Sequence, residues 1–337
     1  MTAEHQRLAV NASKEIPLAQ WGPYLSERQW GTVREDYSVY GDAWQYFPFD
    51  HAHCRSYLWG EDGLAGMSDF FGNLCFCVAL WNGKDPILKE RLFGLSNPQG
   101  NHGEDVKELY YYLDNLPTHY YMEYLYKYPQ LAFPYEQLKQ ENRKLGKNDP
   151  EYEILDTGIF TNNQYFDVMV TYAKQSAQDI CIKIDITNRY SKAADIHLLP
   201  TLWFYNRWDD GSFKEKPTIS AINKVTVKAE HERLGEYYFY YQPTDKTFFT
   251  ENETNTEKVT GVPNESIFVK DAFHDAIIAG KNGNELSKKK TGTKFAPVYK
   301  MKVAAGATKT VYCRLANRMI ENPFTKEFKD VFTVRKQ

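Results

Sequence analysis

The sequence predicts a mainly β protein, a large antiparallel β-sandwich with a few short helices that ends in the start of an α-helix. Three observations predict this class. Apolar segments of strand length, many of them alternating with polar residues, recur along most of the 337 residues. Turn-forming residues separate these segments at short intervals, as in antiparallel sandwiches. Aromatic residues, which suit strands, reach 15% of the chain.

The charge balance excludes several classes of partner. The 41 Lys and Arg nearly cancel the 44 Asp and Glu, for a net charge of −3, so we expect neither nucleic acid nor an anionic membrane as a partner. No apolar run approaches the roughly 20 residues of a membrane-spanning helix. Polar side chains at Glu4, His5 and Arg7 stand where a secretory signal needs apolar ones, so we expect a cytoplasmic protein.

The first elements follow a polar tail over residues 1–20. Residues 21–69 show no sustained period and predict long ordered loops with short strands, a pattern typical of functional or interface segments. Residues 74–81 then alternate, and because both faces are apolar they predict a central strand. A short helix is predicted to begin at Asp85 and to end at Gly94.

A tyrosine-rich strand comes next. Residues 109–135 hold nine of the 25 tyrosines, and Tyr124, Tyr126 and Tyr128 are spaced by two on one side of the predicted strand. Side chains at this spacing share one face of a sheet, so a tyrosine-lined face is expected. A polar helix over residues 135–145 then interrupts the strands.

The remaining strands are predicted from alternation or from apolar runs. They cover residues 166–172, 180–186, 196–205, 219–227, 237–242, 299–303 and 311–315. The last two are predicted to form a hairpin around the turn Ala305-Gly306.

The C-terminus predicts an amphipathic helix that begins at Asn322-Pro323. Phe324, Phe328 and Phe332 fall on one face of it, together with Val331. This apolar stripe either docks back on the sandwich or belongs to a domain outside the chain, and the pattern favours the second interpretation. An isolated sandwich would then expose the stripe as an apolar patch and would tend to associate.

Acidic pairs are the first candidates for chemistry. Glycoside hydrolysis needs two carboxyl groups about 5–5.5 Å or about 6.5–9.5 Å apart, and adjacent residues on a strand point to opposite faces. Two different pairs would have to meet, and the tripeptide Gly-Glu-Asp occurs at both 60–62 and 103–105. Loop carboxylates that cap backbone amides are the simpler explanation.

His51 and His53 have a metal-like composition, but the further ligands of a zinc site are missing, so we expect neither a metal nor a cofactor.

Tryptophans interleaved with charged residues are the second candidates. Trp30 and Trp59 lie among arginines and carboxylates in the predicted loop region. Aromatic faces beside bidentate polar groups are typical of a sugar-binding cleft and also of a polar domain interface. The sequence leaves both interpretations open.

Several long motifs carry a resemblance to a known family. They are WGPYLSERQWGTVREDYS at residues 21–38, WGEDG at 59–63, NGKDPILKERLFGL at 82–95, GNHGEDVKE at 100–108, LDTG at 155–158, LLPTLWF at 198–204 and GTK at 292–294. Together they resemble the N-terminal region of large bacterial proteins of glycoside hydrolase family 63, which include glucosidases and mannosylglycerate hydrolase-like proteins. The resemblance runs from Trp21 to Phe332, although His53 and Cys54 stand where Arg-Ser is expected.

The resemblance implies a β super-sandwich followed by a catalytic (α/α)6 barrel that holds an inverting acid and base. It implies a sandwich over residues 21–320 and a linker with the first barrel helix over residues 321–337. The family's catalytic carboxylates have no matching positions here, so no catalytic residue is assigned and the chain alone is expected to lack them. The expected partners are a carbohydrate substrate and the barrel, in cis or in trans.

The resulting hypothesis is a non-catalytic part of an α-glucosidase-like enzyme. The alternatives are a stand-alone carbohydrate-binding or interaction module, and a sandwich hydrolase that uses the two Gly-Glu-Asp loops. The candidates for contact with substrate or barrel are Arg28, Trp30, Arg34, Glu35, Asp36, Trp59, Glu61, Asp62, Glu104 and Asp105.

Overall fold

Two antiparallel sheets form the fold and confirm the predicted class. The computed structural model describes residues 2–14, 16–25, 51, 53–56, 63–95, 105–209, 211 and 213–337, without the side chain of Asp105. The six-stranded sheet has the spatial order β1 (Trp21–Tyr24), β2 (Leu64–Asp69), β3 (Leu74–Trp81), β10 (Ala194–Phe204), β16 (Lys294–Val303) and β14 (Lys246–Thr250). All of its strand pairs are antiparallel.

The second sheet has nine strands. Its spatial order is β15 (Thr291–Gly292), β11 (Thr218–Asn223), β12 (Thr226–His231), β13 (Gly235–Tyr241), β17 (Thr308–Ala316), β9 (Asp179–Asn188), β8 (Tyr165–Ser176), β7 (Tyr121–Pro129) and β6 (Tyr110–Asn115). A separate pair joins β4 (Gly94–Leu95) to β5 (Asp105–Val106).

The core lies between the inner faces of the two sheets. Phe76 and Val78 of β3 belong to the same buried cluster as Ile182 and Ile184 of β9. As the alternation predicts, β3 is a central strand, since it pairs with β2 on one side and with β10 on the other. Apolar residues on both of its faces are buried because a second layer covers the outer face of this sheet.

The predicted tyrosine face of β7 is part of this core. Tyr126 and Tyr128 are fully buried. The Tyr126 hydroxyl donates a hydrogen bond to Glu108, and the Tyr128 hydroxyl donates one to Asp85 over 3.0 Å. Burial raises the pKa of both phenols well above the ordinary value. The tyrosines therefore pack inside the sandwich and do not present a surface for stacking.

Two predicted elements differ in the structure. The segment that precedes Gly94 forms no helix, because the chain turns at Asn82 and then pairs Lys89 with Leu80 in a β-bridge. The strand predicted over residues 219–227 is two strands, β11 and β12. They are separated by a turn in which the Val225 N–H donates a hydrogen bond to the side-chain oxygen of Asn223.

The last predicted hairpin is also wrong. β16 pairs with β10 and β14 in the six-stranded sheet, whereas β17 pairs with β9 and β13 in the nine-stranded sheet. Gly306, with a φ of 67°, lies in the turn that carries the chain from one sheet to the other. The two strands therefore face each other across the core and share no hydrogen-bonded ladder.

Six α-helices lie among the described residues. They are α1 (Ala3–Ser13), α2 (Tyr135–Asn142), α3 (Thr256–Thr260), α4 (Ala272–Ile278), α5 (Gly283–Lys288) and α6 (Lys326–Lys336). Sequence reasoning missed α1, whose N-terminus is closed by a capping box between Thr2 and His5. No helix in the described part of the chain has the length and apolar character that crossing a membrane requires.

The C-terminal helix begins later than predicted, and its stripe is covered. Thr325 caps α6, so the helix starts at Lys326 and not at Asn322-Pro323. Phe328 is 1% exposed and Phe332 is 9% exposed, because they pack on the outer face of the nine-stranded sheet. The prediction that this stripe forms an exposed apolar patch is therefore wrong. Docking on the sandwich accounts for the stripe, which no longer argues for a further domain.

Candidate functional site

Most of the predicted site residues lie outside the described part of the chain. This holds for Arg28, Trp30, Arg34, Glu35, Asp36, Trp59, Glu61, Asp62 and Glu104. The backbone of Asp105 is described and pairs with Leu95 in the short β4–β5 ladder, while its side chain is not described. The structure therefore describes the residues that flank these segments.

The flanking residues are fixed to the outer layer that covers the six-stranded sheet. Before the segment 57–62, the Ser56 N–H donates to Thr254 Oγ1 over 3.0 Å. After it, the Leu64 N–H donates to the carbonyl of Glu90 over 2.9 Å. Two ends of one predicted site segment are thus held by residues of the same layer.

Glu90 belongs to a group of polar side chains, buried or half-buried except for the exposed Lys258, that we call the outer-layer cluster. Its members are His53, Glu90, Asn255, Lys258, Asp271, His274 and Lys294. Lys294 comes from β16, His274 from α4 and Lys258 from α3, while the others lie in connecting segments. The cluster is assembled from parts of the chain that are far apart in sequence.

Two ion pairs provide the charge balance of the outer-layer cluster. Lys294 Nζ lies 2.6 Å from Glu90 Oε2, and the lysine side chain is 1% exposed. Lys258 Nζ lies 2.6 Å from Asp271 Oδ2, and the Asn255 amide also donates to both oxygens of that carboxylate. Each buried carboxylate therefore meets a cation, as burial of charge requires.

A stacked pair of histidines lies beside these ion pairs. The rings of His53 and His274 have centroids 4.5 Å apart and an interplanar angle of 26°. Burial, and next the neighbouring His274, lowers the pKa of His53 to about 4, although Asp271 opposes the shift. His53 is therefore a neutral imidazole at neutral pH and can both donate and accept a hydrogen bond.

Several buried polar atoms of the cluster make no hydrogen bond within the part of the chain that the structure describes. They are Glu90 Oε1 and both ring nitrogens of His274. The nearest carboxylate oxygen to His274, on Asp275, lies 3.6 Å from Nδ1. Buried polar groups are usually paired with protein or with water, so these atoms are positions at which water, or a group outside the described residues, can bind.

The two sequence-predicted histidines do not form one site. His51 Nδ1 accepts a hydrogen bond from Arg55 Nε over 3.2 Å, whereas His53 stacks on His274. Among the described residues, no three His, Cys, Asp or Glu side chains come together in a group that could hold a metal ion.

Sequence reasoning missed the other members of the cluster. Their signal is weak, because an isolated lysine or glutamate carries no motif of its own. Lys294 offers one clue, since it opens a strand that continues with apolar residues and yet is almost completely buried. A lysine in such a position requires a buried carboxylate partner, which is here Glu90.

Comparison with known proteins gives one similar sequence. No family model matches the chain. The uncharacterized protein YMR196W of Saccharomyces cerevisiae is 41% identical over 353 residues, which cover 94% of this chain and 32% of the yeast protein. The chain thus spans about a third of the length of this relative.

Among solved structures, the polysaccharide lyase BACCELL_00875 is similar to this chain over an alignment that covers 77% of this chain and 27% of the lyase chain. The TM-score is 0.31 and the sequence identity is 8%. A likeness at this level carries no argument about fold or function.

Proposed function

We propose that this chain is the N-terminal, non-catalytic β-sandwich of a glycoside hydrolase of the family 63 type. In this proposal the enzyme is α-glucosidase-like and cleaves O-glycosidic bonds with inversion. The acid and base lie in an (α/α)6 barrel that works with the sandwich in cis or in trans. The sandwich covers residues 21–320 after an N-terminal extension, and residues 321–337 lead towards the barrel.

One observation carries the proposal: the family motifs span a large antiparallel sandwich. The motifs extend from Trp21 to Phe332, and the two sheets occupy residues 21–316 of the same span. This is the architecture that the resemblance implies for the N-terminal region. The yeast relative supports the proposal further, because about two thirds of its length lies outside the match and could hold a barrel.

The proposal gives the predicted loop residues a role in contact with substrate or barrel. Inversion needs two carboxyl groups about 6.5–9.5 Å apart with room for a water molecule between them. In our proposal the barrel supplies both groups, and this chain supplies aromatic and charged side chains at the rim of the cleft. The outer-layer cluster would form the base of this contact, with Glu90 and His274 receiving polar groups of the partner.

The first experiment uses the yeast relative. We expect the intact relative to hydrolyse aryl α-glucosides or α-linked disaccharides, and the part outside the matched third to lose this activity when expressed alone. Adding the purified 337-residue chain should restore hydrolysis. Activity in the 337-residue chain alone would contradict a non-catalytic role. An intact relative that is folded and inactive on all these substrates would contradict the glycosidase assignment.

A matched pair of variants tests the contact surface in the same assay. Glu90→Gln removes a charge from the outer-layer cluster, whereas Glu136→Gln changes a carboxylate of α2 whose side chain is 69% exposed. We expect Glu90→Gln to raise the concentration of chain needed for half-maximal restoration about tenfold, since buried charged partners dominate such contacts. The Glu136→Gln variant should restore hydrolysis at the same concentration as the wild type. If both variants need the same concentration, the outer-layer cluster does not take part in the contact.

A further inference from the structure

A second feature, on a different part of the surface, is a cavity of about 620 Å³ beside the β2–β3 turn. Apolar side chains line it, among them the adjacent Phe70 and Phe71, and three cations stand around them: Lys14, Arg207 and Arg233. Cavities of this size that combine apolar walls with a few polar groups are typical of small-molecule sites.

The two phenylalanines are exposed to an unusual degree. Phe70 is 71% exposed and Phe71 is 74% exposed, and their rings meet edge to face with centroids 5.1 Å apart. Exposed single apolar residues are common, but two adjacent aromatic rings at the wall of a cavity offer a ready apolar contact surface.

The turn that carries these rings is braced by hydrogen bonds to one buried carboxylate. The Asp69 carboxylate is 2% exposed and accepts hydrogen bonds from the Phe71 N–H over 3.1 Å, the Asn73 amide over 2.9 Å and the Leu74 N–H over 2.8 Å. The backbone from which both rings project is therefore fixed before any ligand arrives. A preorganised surface binds with a smaller loss of conformational entropy.

Positive charge around the cavity is not neutralised. Within the described residues, neither Lys14 nor Arg207 has a carboxylate at ion-pair distance. Arg233 has a distant one, since its Nε lies 3.8 Å from Glu232. Asp69 also lines the cavity and keeps its negative charge while it accepts the hydrogen bonds of the turn, so three cations face this one anion and Glu232. The cavity therefore pairs an apolar wall with an excess of cations.

We propose that this cavity binds a small organic anion with an aromatic or otherwise apolar body, such as an aryl carboxylate or sulfonate. Phe70 and Phe71 contact the apolar body, and Arg207 holds the anionic group through its planar set of donors. Lys14 and Arg233 add to the attraction. This site is independent of the proposed glycosidase function and of the outer-layer cluster.

The experiment uses two fluorescent probes with similar rings and different charge. Anilinonaphthalene sulfonate is anionic, and phenylnaphthylamine is neutral. We expect saturable binding of the sulfonate at one site on each 337-residue chain. Arg207→Gln should weaken binding of the sulfonate about tenfold, as loss of a charge-assisted hydrogen bond does, and leave the neutral probe unaffected. Phe71→Ser should weaken binding of both probes.

Matched substitutions away from the cavity serve as controls. Arg143→Gln removes an exposed arginine next to α2, and Ile267→Ser removes an apolar side chain that is 90% exposed. Both variants should bind both probes like the wild type. Circular dichroism checks that every variant is folded. Binding at several sites, or an unchanged affinity for the sulfonate in folded Arg207→Gln and Phe71→Ser, would overturn the proposal.

Discussion

At the scale of single residues, His53 shows how burial sets the chemistry of a side chain. Its pKa is lowered to about 4 in the folded chain, mainly by burial, against about 6.5 for an unfolded histidine. Because the folded value is the lower one, the stability that this neutral imidazole contributes is complete above pH 6.5 and is lost as the pH falls through 4.

The pH dependence of stability tests this assignment. We expect the free energy of unfolding to fall by roughly 3 kcal/mol between pH 7 and pH 4 on account of His53. The variant His53→Phe keeps an aromatic ring stacked on His274 but cannot take up a proton. The decrease in the free energy of unfolding that is due to His53 should therefore be absent when this variant is unfolded with urea at each pH. A variant whose stability falls as steeply as that of the wild type would show that His53 is not the group responsible.

The sequence revealed His53 as a polar loop residue and could not reveal its partner. Its stacking partner, His274, belongs to α4 and lies far away in sequence. Because a side chain's burial and its neighbours are decided by packing, a residue-level pattern such as His51-x-His53 indicates composition only. The structure then separates these two histidines.

At the scale of elements, α6 is held to the sandwich by polar and apolar contacts. Arg314 of β17 forms a bidentate ion pair with Asp179 over 2.7 and 2.8 Å and donates from Nη1 to the carbonyl of Pro323, just before the helix. Phe328 then packs beside Cys181 of β9, which is completely buried. Burial raises the pKa of the Cys181 thiol to about 12, so the covered thiol is unreactive.

Removal of α6 should uncover this thiol. A chain that ends before Thr325 is expected to react with iodoacetamide at Cys181 at least tenfold faster than the intact chain at pH 8, because the thiol gains both access and a lower pKa. Cys313, which lies in the core between the sheets, should stay protected in both chains. Mass spectrometry of the labelled peptides gives the two rates.

A single substitution checks the same packing with the helix in place. Phe328→Ala should cost about 3 kcal/mol in the free energy of unfolding, the usual loss for a buried phenylalanine. It should also speed labelling of Cys181 by a smaller factor than truncation. Unchanged labelling in both variants would contradict the docking of α6 on the nine-stranded sheet.

At the scale of the whole molecule, the two sheets are joined by buried polar contacts as well as by the core. Asn188, at the end of β9 in the nine-stranded sheet, is completely buried. Its amide donates to the carbonyl of Val303, at the end of β16 in the six-stranded sheet, over 3.0 Å. Its side-chain oxygen accepts from Gln130 over 2.7 Å and from the Tyr190 N–H over 2.9 Å.

Replacing this contact should weaken both sheets together. Asn188→Leu keeps the volume and leaves buried polar partners unpaired, so we expect a loss of about 2–4 kcal/mol in the free energy of unfolding. Urea unfolding followed by tryptophan fluorescence and by far-ultraviolet circular dichroism should give one coincident, shifted transition. Asn284→Leu at an exposed position of α5 is the control and should change stability little. A transition that splits between the two probes would contradict the coupling of the sheets.

The sequence by itself determined the fold class and most strands of this protein. Alternation and apolar runs are local, so they identified β3, the tyrosine-lined β7 and the isoleucine-rich β9 from residues close together in the chain. The tertiary structure decided what depends on distant contacts. It assigned β16 and β17 to different sheets, buried the stripe of α6, and assembled the outer-layer cluster around Lys294. Strand pairing, helix docking and the burial of charged side chains depend on residues that are remote in sequence. No local pattern specifies which of these residues come into contact.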